Sequence, residues 1–236
     1  MRTRYLLPQV LAISLPFIFG TLPQVRAADS NSGTNRWEPE IEAFERADKT
    51  NPPPQHAILF VGSSSIRIWP DLQQDFPGHT VFKRGFGGSE LSDAVAFADR
   101  IVTPYKPKLI LLYEGDNDIA AGKSPERIFS DFKAFVHKVR AALPDTRIAY
   151  IAVKPCPSRK KFLPEVRATN RLIREYTEKH KDLSFIDIYT PMLNPDGSLR
   201  PELFQKDYLH MNKKGYAVWV SVITPLLDRY DPPAKN

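Results

Sequence analysis

One cysteine, Cys156, is too few for an intrachain disulfide, so the chain must be held by a packed core and not by crosslinks. It stands between Pro155 and Pro157 with no histidine nearby to activate it, the setting of a buried structural thiol. Its position also leaves no cysteine near the N-terminus for lipid attachment. Histidines number five, and no His–His or His–carboxylate spacing of the usual metal-ligating kind occurs. Metal-dependent hydrolysis therefore finds no support, and no cofactor is expected. A strong charge of one sign is missing too. The formal charge of +6 falls to +3 once Arg2, Arg4 and Arg26 are set aside with the leader described below. Lys and Arg are interspersed with Asp and Glu, which speaks against a nucleic-acid partner. Internal repeats and low-complexity tracts are absent.

What is present suffices for a full core: 236 residues, 42% hydrophobic and 11% aromatic. Residues 1–27 read as an export signal peptide. Arg2 and Arg4 precede an apolar stretch from Leu6 to Phe19, and Val25-Arg26-Ala27 offers a small-residue cleavage site. That stretch is shorter than the ~20 residues of a spanning helix and carries Pro8 and Pro16, so no stable membrane anchor is expected. Cleavage after Ala27 or Ala28 would deliver a periplasmic or secreted protein. Residues 28–36 then form a polar linker and 37–232 a single domain.

Within that domain, apolar runs of strand length at 57–61, 80–83, 108–113, 147–153 and 183–188 alternate with helical periodicities. Ile41 and Phe44 mark a first helix over 37–49. A second is expected over 66–76, with Pro70 in its first turn. Ser89 is expected to cap a third, bearing Leu91, Val95, Phe97 and Ile101. Ser124-Pro125 opens a fourth, and a long helix covers 162–180. The last begins near Asn212 and is expected to kink at Pro225. Alternation of this kind predicts an α/β doubly wound parallel sheet with right-handed crossovers. Ligands of such sheets lie beyond the carboxyl ends of the strands, where strand order reverses. Four unusual groups fall at that edge: Ser63-Ser64-Ser65, Arg84 to Ser89, Glu114 to Asp118, and Asp207 to His210.

Each group has a plain reading and a chemical one. The serines end a strand and begin a helix, where backbone N–H groups and the helix dipole favour negative charge; the alternative, and the commoner one for such a stretch taken alone, is a plain strand-to-helix turn. Acyl transfer needs a nucleophile, a base, a group that orients the base, and oxyanion donors. His210 is the suitable base, and Asp207, three residues earlier, can reach its Nδ1 within one turn; the alternative is a capped surface turn. His56, His79, His137 and His180 lack such a neighbour. Gly88 lets backbone approach a substrate, Asn117 offers a non-titrating amide, and the N–H of Ser64 lies at a helix start. Against these stand a simple βα turn and an Asx-turn. Lys83, Arg84, Lys154 and Arg159 belong at the rim, either facing an anionic substrate or merely solvated.

The four groups together, Gly-x-Ser after the first strand, a Gly-rich loop, Gly-x-Asn-Asp and Asp-x-x-His, resemble the four blocks of the SGNH (GDSL-type) hydrolases. The resemblance runs from Trp37 to Tyr230 and is closest to secreted bacterial esterases similar to platelet-activating-factor acetylhydrolases. It implies a flavodoxin-like three-layer α/β/α sandwich with a five-stranded parallel sheet, no metal, and ester hydrolysis through an acyl-enzyme. By block position it implies Ser64 as nucleophile, Asp207 and His210 as acid and base, and Ser64, Gly88 and Asn117 as the oxyanion hole. Two positions depart from the pattern: Ser63 replaces the usual Asp, and Lys83-Arg84 stand where an Asn often opens the second block. The absence of Gly-x-Ser-x-Gly argues against the α/β-hydrolase elbow. The expected substrate is a small-molecule, glycan or lipid ester, with carbohydrate O-acetyl groups foremost and a thioesterase or lysophospholipase as the enzymatic alternative. A glycan-binding domain on the same scaffold is the non-enzymatic alternative. Oligomeric state is not legible.

Overall fold

Strand β1 (Ile58–Gly62) is buried at every residue, because its alternate side chains enter two different cores. Leu59 and Val61 point into one, Ile58 and Phe60 into the other. The computed structural model describes residues 34–232; the signal peptide expected over 1–27 lies outside them. Four further strands join β1 in parallel: β2 (Val81–Gly85), β3 (Leu109–Tyr113), β4 (Arg147–Ile151) and β5 (Leu183–Ile186). Their order is β2-β1-β3-β4-β5, so the chain reverses direction across the sheet between β1 and β3. This is the flavodoxin-like order with its switch point at β1/β3.

Helices α1 (Glu38–Thr50), α4 (Leu91–Ile101), α6 (Pro125–Ala142) and α7 (Leu163–Thr177) cover the Leu59 face. On the other face lie α2 (Ser64–Arg67), α3 (Leu72–Asp75) and α8 (Lys213–Tyr230). The result is the expected three-layer α/β/α sandwich. Trp69 is fully enclosed on the second face, with ring centroids 4.7 Å from Tyr216 and 5.7 Å from Phe60. Burying a side chain of that size contributes on the order of 3 kcal/mol. Cys156 is buried, and burial pushes its thiol up, consistent with a structural role.

Local expectations fail where tertiary contacts compete with them. The single helix expected over 66–76 is two short ones, α2 and α3, and Pro70 lies between them. Proline lacks an N–H and disfavours helical backbone in the residue before it, so the chain breaks there instead of starting. Ser89 does not cap α4. Glu90 occupies the cap position and the first helical N–H, that of Leu91, donates to the Asp118 carboxylate at 3.0 Å. Ser124 does cap α6, accepting from Arg127 N at 3.2 Å. α8 continues through Pro225 to Tyr230. The expected linker overlaps a 3-10 turn at Thr34–Trp37, which brings Arg36 and Trp37 beside the second loop.

Candidate active site

Register places the ends of three strands side by side: Gly62 is opposite Gly85 on one side and Tyr113 on the other. The residues that follow, Ser64, Gly88 and Asn117, therefore leave the sheet along one carboxyl edge. Close approach of backbone at this edge requires glycine. A Cβ at Gly62 would stand 2.1 Å from the Tyr113 carbonyl oxygen, and one at Gly85 2.3 Å from the Arg67 nitrogen. Ser63 precedes α2 in extended conformation, and its carbonyl accepts from Ile66 and Arg67 at 3.0 Å. Ser64 is thus the first helical residue, and its N–H lies outside the helix's own hydrogen-bond ladder. Ser63 and Ser65 are buried, whereas Ser64 is partly exposed.

Ser64 Oγ lies 3.0 Å from His210 Nε2, and His210 Nδ1 lies 2.5 Å from Asp207 Oδ2. The Nδ1 contact with a carboxylate places the proton on Nδ1 and leaves Nε2 as an acceptor facing the hydroxyl. Asp207 Oδ1 also accepts from the N–H groups of Leu209 and His210, each at 3.0 Å. Slight burial works the other way, but the imidazole and these N–H groups lower the Asp207 pKa to about 2. The turn is anchored on both sides. Gln205 N donates to the His210 carbonyl at 2.7 Å, and Phe204 pairs with Met211 in an antiparallel bridge. Asn212 then caps α8, accepting from Lys214 N at 2.9 Å. α8 returns the favour to the serine, since Tyr216 Oη donates to the Ser65 carbonyl at 2.8 Å.

Asn117, in α5 (Asp116–Ala120), is oriented from both ends. Arg159 donates to its Oδ1 at 2.9 Å, and its Nδ2 donates to the Ser89 carbonyl at 2.9 Å. Those two contacts settle which end of the amide is which and leave one N–H without a partner among the described residues. Gly88 is exposed with φ of +78°, a left-handed conformation suited to glycine. A tryptophan ring edge, Trp37, would lie 3.3 Å from a Cβ there. Arg36 lies over that ring at 4.5 Å and donates to the Gly88 carbonyl at 3.3 Å.

The basic residues expected at the rim are mostly structural. Lys83 donates to the Arg67 and Trp69 carbonyls. Arg84 is buried, 2.5 Å from Asp48 and 2.9 Å from the Tyr105 hydroxyl. Lys154 is buried against Asp116 and Tyr113. Of the four, Arg159 reaches a candidate site residue. It also pairs with Asp116 at 2.5 Å. Burial pushes the Asp116 carboxyl up, but Lys154 and Arg159 outweigh it and hold the group below the usual range. Asn117 is braced from beneath by Ser89, which the sequence marks only as a helix cap, and by Glu114 and Asp116, to which the sequence assigns no role; their partners are distant in sequence.

Among the described residues no group of three or more His, Cys, Asp or Glu side chains could hold a metal ion, and no helix is long and apolar enough to cross a membrane. The model of the GDSL-like Lipase/Acylhydrolase family matches residues 60–218. Solved structures share the fold. A Streptococcus pneumoniae protein provisionally named a platelet activating factor has 20% identity and a TM-score of 0.72, covering 82% of this chain and 94% of its own. A GDSL-like lipase from Bacteroides thetaiotaomicron has 19% identity and a TM-score of 0.67, over 84% and 98%. A carbohydrate esterase of family 3 from Talaromyces cellulolyticus has 16% identity and a TM-score of 0.59, over 73% and 96%. No curated protein matches the chain.

Proposed function

Because the chain belongs to the GDSL-like lipase/acylhydrolase family, and is accordingly an ester hydrolase, we propose that Ser64 is its nucleophile, His210 its general base and Asp207 the group that orients the base. The observation that carries this assignment is the unbroken line from Ser64 Oγ through the imidazole to the Asp207 carboxylate. As Oγ attacks an ester carbonyl carbon, its proton passes to Nε2. The carbonyl oxygen becomes an oxyanion, for which we assign the N–H groups of Ser64 and Gly88 and the spare amide hydrogen of Asn117 as donors. Collapse breaks the C–O bond, and the imidazolium returns the proton to the departing alcohol. Water then attacks the acyl-serine by the same route in reverse. Asp207, with a pKa of about 2, stays ionised throughout.

We further propose that the enzyme acts outside the cytoplasm on O-acetyl groups of carbohydrate. The charged-then-apolar opening of the sequence supports export, and the half-buried Trp37 sets an aromatic ring edge beside Gly88 at the rim of the site. The carbohydrate esterase among the fold relatives suggests acetylated sugars as the first substrates to try. The second reading, a thioesterase or lysophospholipase with a longer acyl chain, draws on a shallow cavity of about 260 Å³ whose lining includes Ile68, Pro70, Met211 and Tyr216 together with the polar Asn212 and Lys213, beyond the serine turn and the histidine loop and lined by neither Ser64 nor His210. Rates on acetyl and octanoyl p-nitrophenyl esters separate the two: a preference for octanoyl contradicts the deacetylase. Ser64→Ala is expected to abolish p-nitrophenyl acetate turnover with the fold intact; undiminished rates contradict the assignment of Ser64.

A further inference from the structure

The loop that carries Gly88 is braced from beneath by a carboxyl group that solvent does not reach. Glu114 is fully buried at the end of β3. Its Oε1 is 2.6 Å from Ser89 Oγ, while its Oε2 has no hydrogen-bond partner. Ser89 Oγ is also 2.9 Å from the Phe86 carbonyl oxygen. A hydroxyl has one proton, and here it faces two oxygens. If Glu114 were a carboxylate, both would be acceptors competing for that one proton, and the Phe86 carbonyl would be left with the long 3.4 Å bond from the Ser89 N–H. A bare Oε2 would then carry charge with no donor among the described residues, a costly state in a buried site.

The surroundings make ionisation harder still. α4 presents Glu90 and Asp93, and α5 presents Asp118. Lys123, the cation of this network among the described residues, is engaged by Asp118 at 2.9 Å and Glu90 at 2.8 Å. β4 contributes the neutral Tyr150 hydroxyl, which donates to the Glu114 backbone carbonyl at 2.6 Å. Burial first, and then the Asp118 charge, push the Glu114 pKa well above the carboxylate range.

We propose that Glu114 is a neutral carboxylic acid in the working enzyme and acts as a positioning residue for the oxyanion loop: its O–H donates to Ser89 Oγ, whose own O–H donates to the Phe86 carbonyl. All donors and acceptors along that chain are then satisfied except the carbonyl oxygen of the acid, which is cheaper to leave bare than a carboxylate oxygen. The braced residue is adjacent to Gly88, and its backbone carbonyl receives the Asn117 amide. Two of the three assigned oxyanion donors thus hang on one proton held by Glu114. The inference rests on the oxyanion hole assigned above, but the state of the proton can be read without any turnover.

The infrared spectrum at neutral pH should contain a protonated-carboxyl C=O stretch that Glu114→Gln lacks; absence of that band in the native enzyme overturns the proposal. Glutamine keeps a donor toward Ser89, so Glu114→Gln should hold kcat within about threefold, whereas Glu114→Ala should lower kcat by about tenfold or more at unchanged KM, as expected for a small displacement of catalytic groups. Equal losses in both variants overturn it. The folded chain keeps this proton above the pH at which the unfolded chain releases it, so Glu114 makes stability fall as pH rises through that interval. Thermal stability should therefore decline less steeply with rising pH in Glu114→Gln than in the native protein, a comparison that stands even if Glu114→Ala fails to fold; identical slopes overturn the proposal. Should Ser64→Ala retain full activity, the esterase assignment fails, while the infrared band and the stability slope still decide the state of Glu114.

Discussion

Beneath Asn117, side chains are almost wholly enclosed: Asp116 and Lys154 are 7% and 2% exposed, and Glu114 not at all. Across the rim, Asp207 and His210 occupy a surface turn with 46% and 26% of their side chains exposed. Tyr208, between them, is half exposed and takes a positive φ of 55°. The donor side is held by long-range pairs, Glu114 with Ser89, Asp118 with Leu91, Asn117 with Arg159. The base side is held mainly by bonds within a few residues, Asp207 with Leu209 and His210, and Gln205 with His210, with one longer tie from Ser158 N to the Tyr208 carbonyl at 3.1 Å. An oxyanion hole works by not having to reorganise, and burial in a satisfied network provides that. A base must accept and return a proton, which an accessible turn permits. Damage to the buried side should therefore remove stability and activity together, and damage to the exposed side activity alone.

That contrast can be tested by four substitutions or titrations, beginning with the most severe. His210→Ala should lower kcat by about a millionfold, the order expected for a triad member, with the melting temperature unchanged within error in calorimetry; a large fall in melting temperature would erase the distinction. Asp207→Asn should cost about ten-thousandfold in kcat, since the imidazole loses its orientation and tautomer, again without unfolding in a urea titration. On the buried side, Asp116→Ala strands the Lys154 ammonium without its carboxylate. It should cost about 3–5 kcal/mol of stability in urea denaturation and should also lower kcat, because Arg159 loses one of its two anchors. The gentlest test is a carbon NMR titration of the Asp207 carboxyl. A carboxylate whose pKa is depressed contributes stability above its ordinary range and loses it as pH falls through the folded value. Its midpoint should lie near 2; a midpoint in the ordinary range would mean that the turn is not formed in solution.

The parts of this molecule written in short stretches of sequence were legible there. The five strands declare themselves as apolar runs, and Asp-x-x-His is compact enough for one turn to bring the pair together. The approach of Ser64 to His210, 146 positions apart, was legible only through the order of four blocks along an α/β chain. What escaped depends on partners that sequence does not pair. Ser89 looks like a helix cap, yet the Asp118 carboxylate takes the N–H it would have served and Ser89 turns toward Glu114. Lys83, Arg84 and Lys154 look like a basic rim, yet each bends inward to a carbonyl or carboxylate supplied by a remote element. Pro70 looks like a helix start because position alone does not tell a first turn from a break.

The central assignment is tested most directly by labelling the native enzyme with a fluorophosphonate and mapping the modified residue by mass spectrometry. The account predicts a single adduct on Ser64 that disappears in His210→Ala. An adduct on Ser63, Ser65 or another residue, or labelling of Ser64 undiminished without His210, would contradict it.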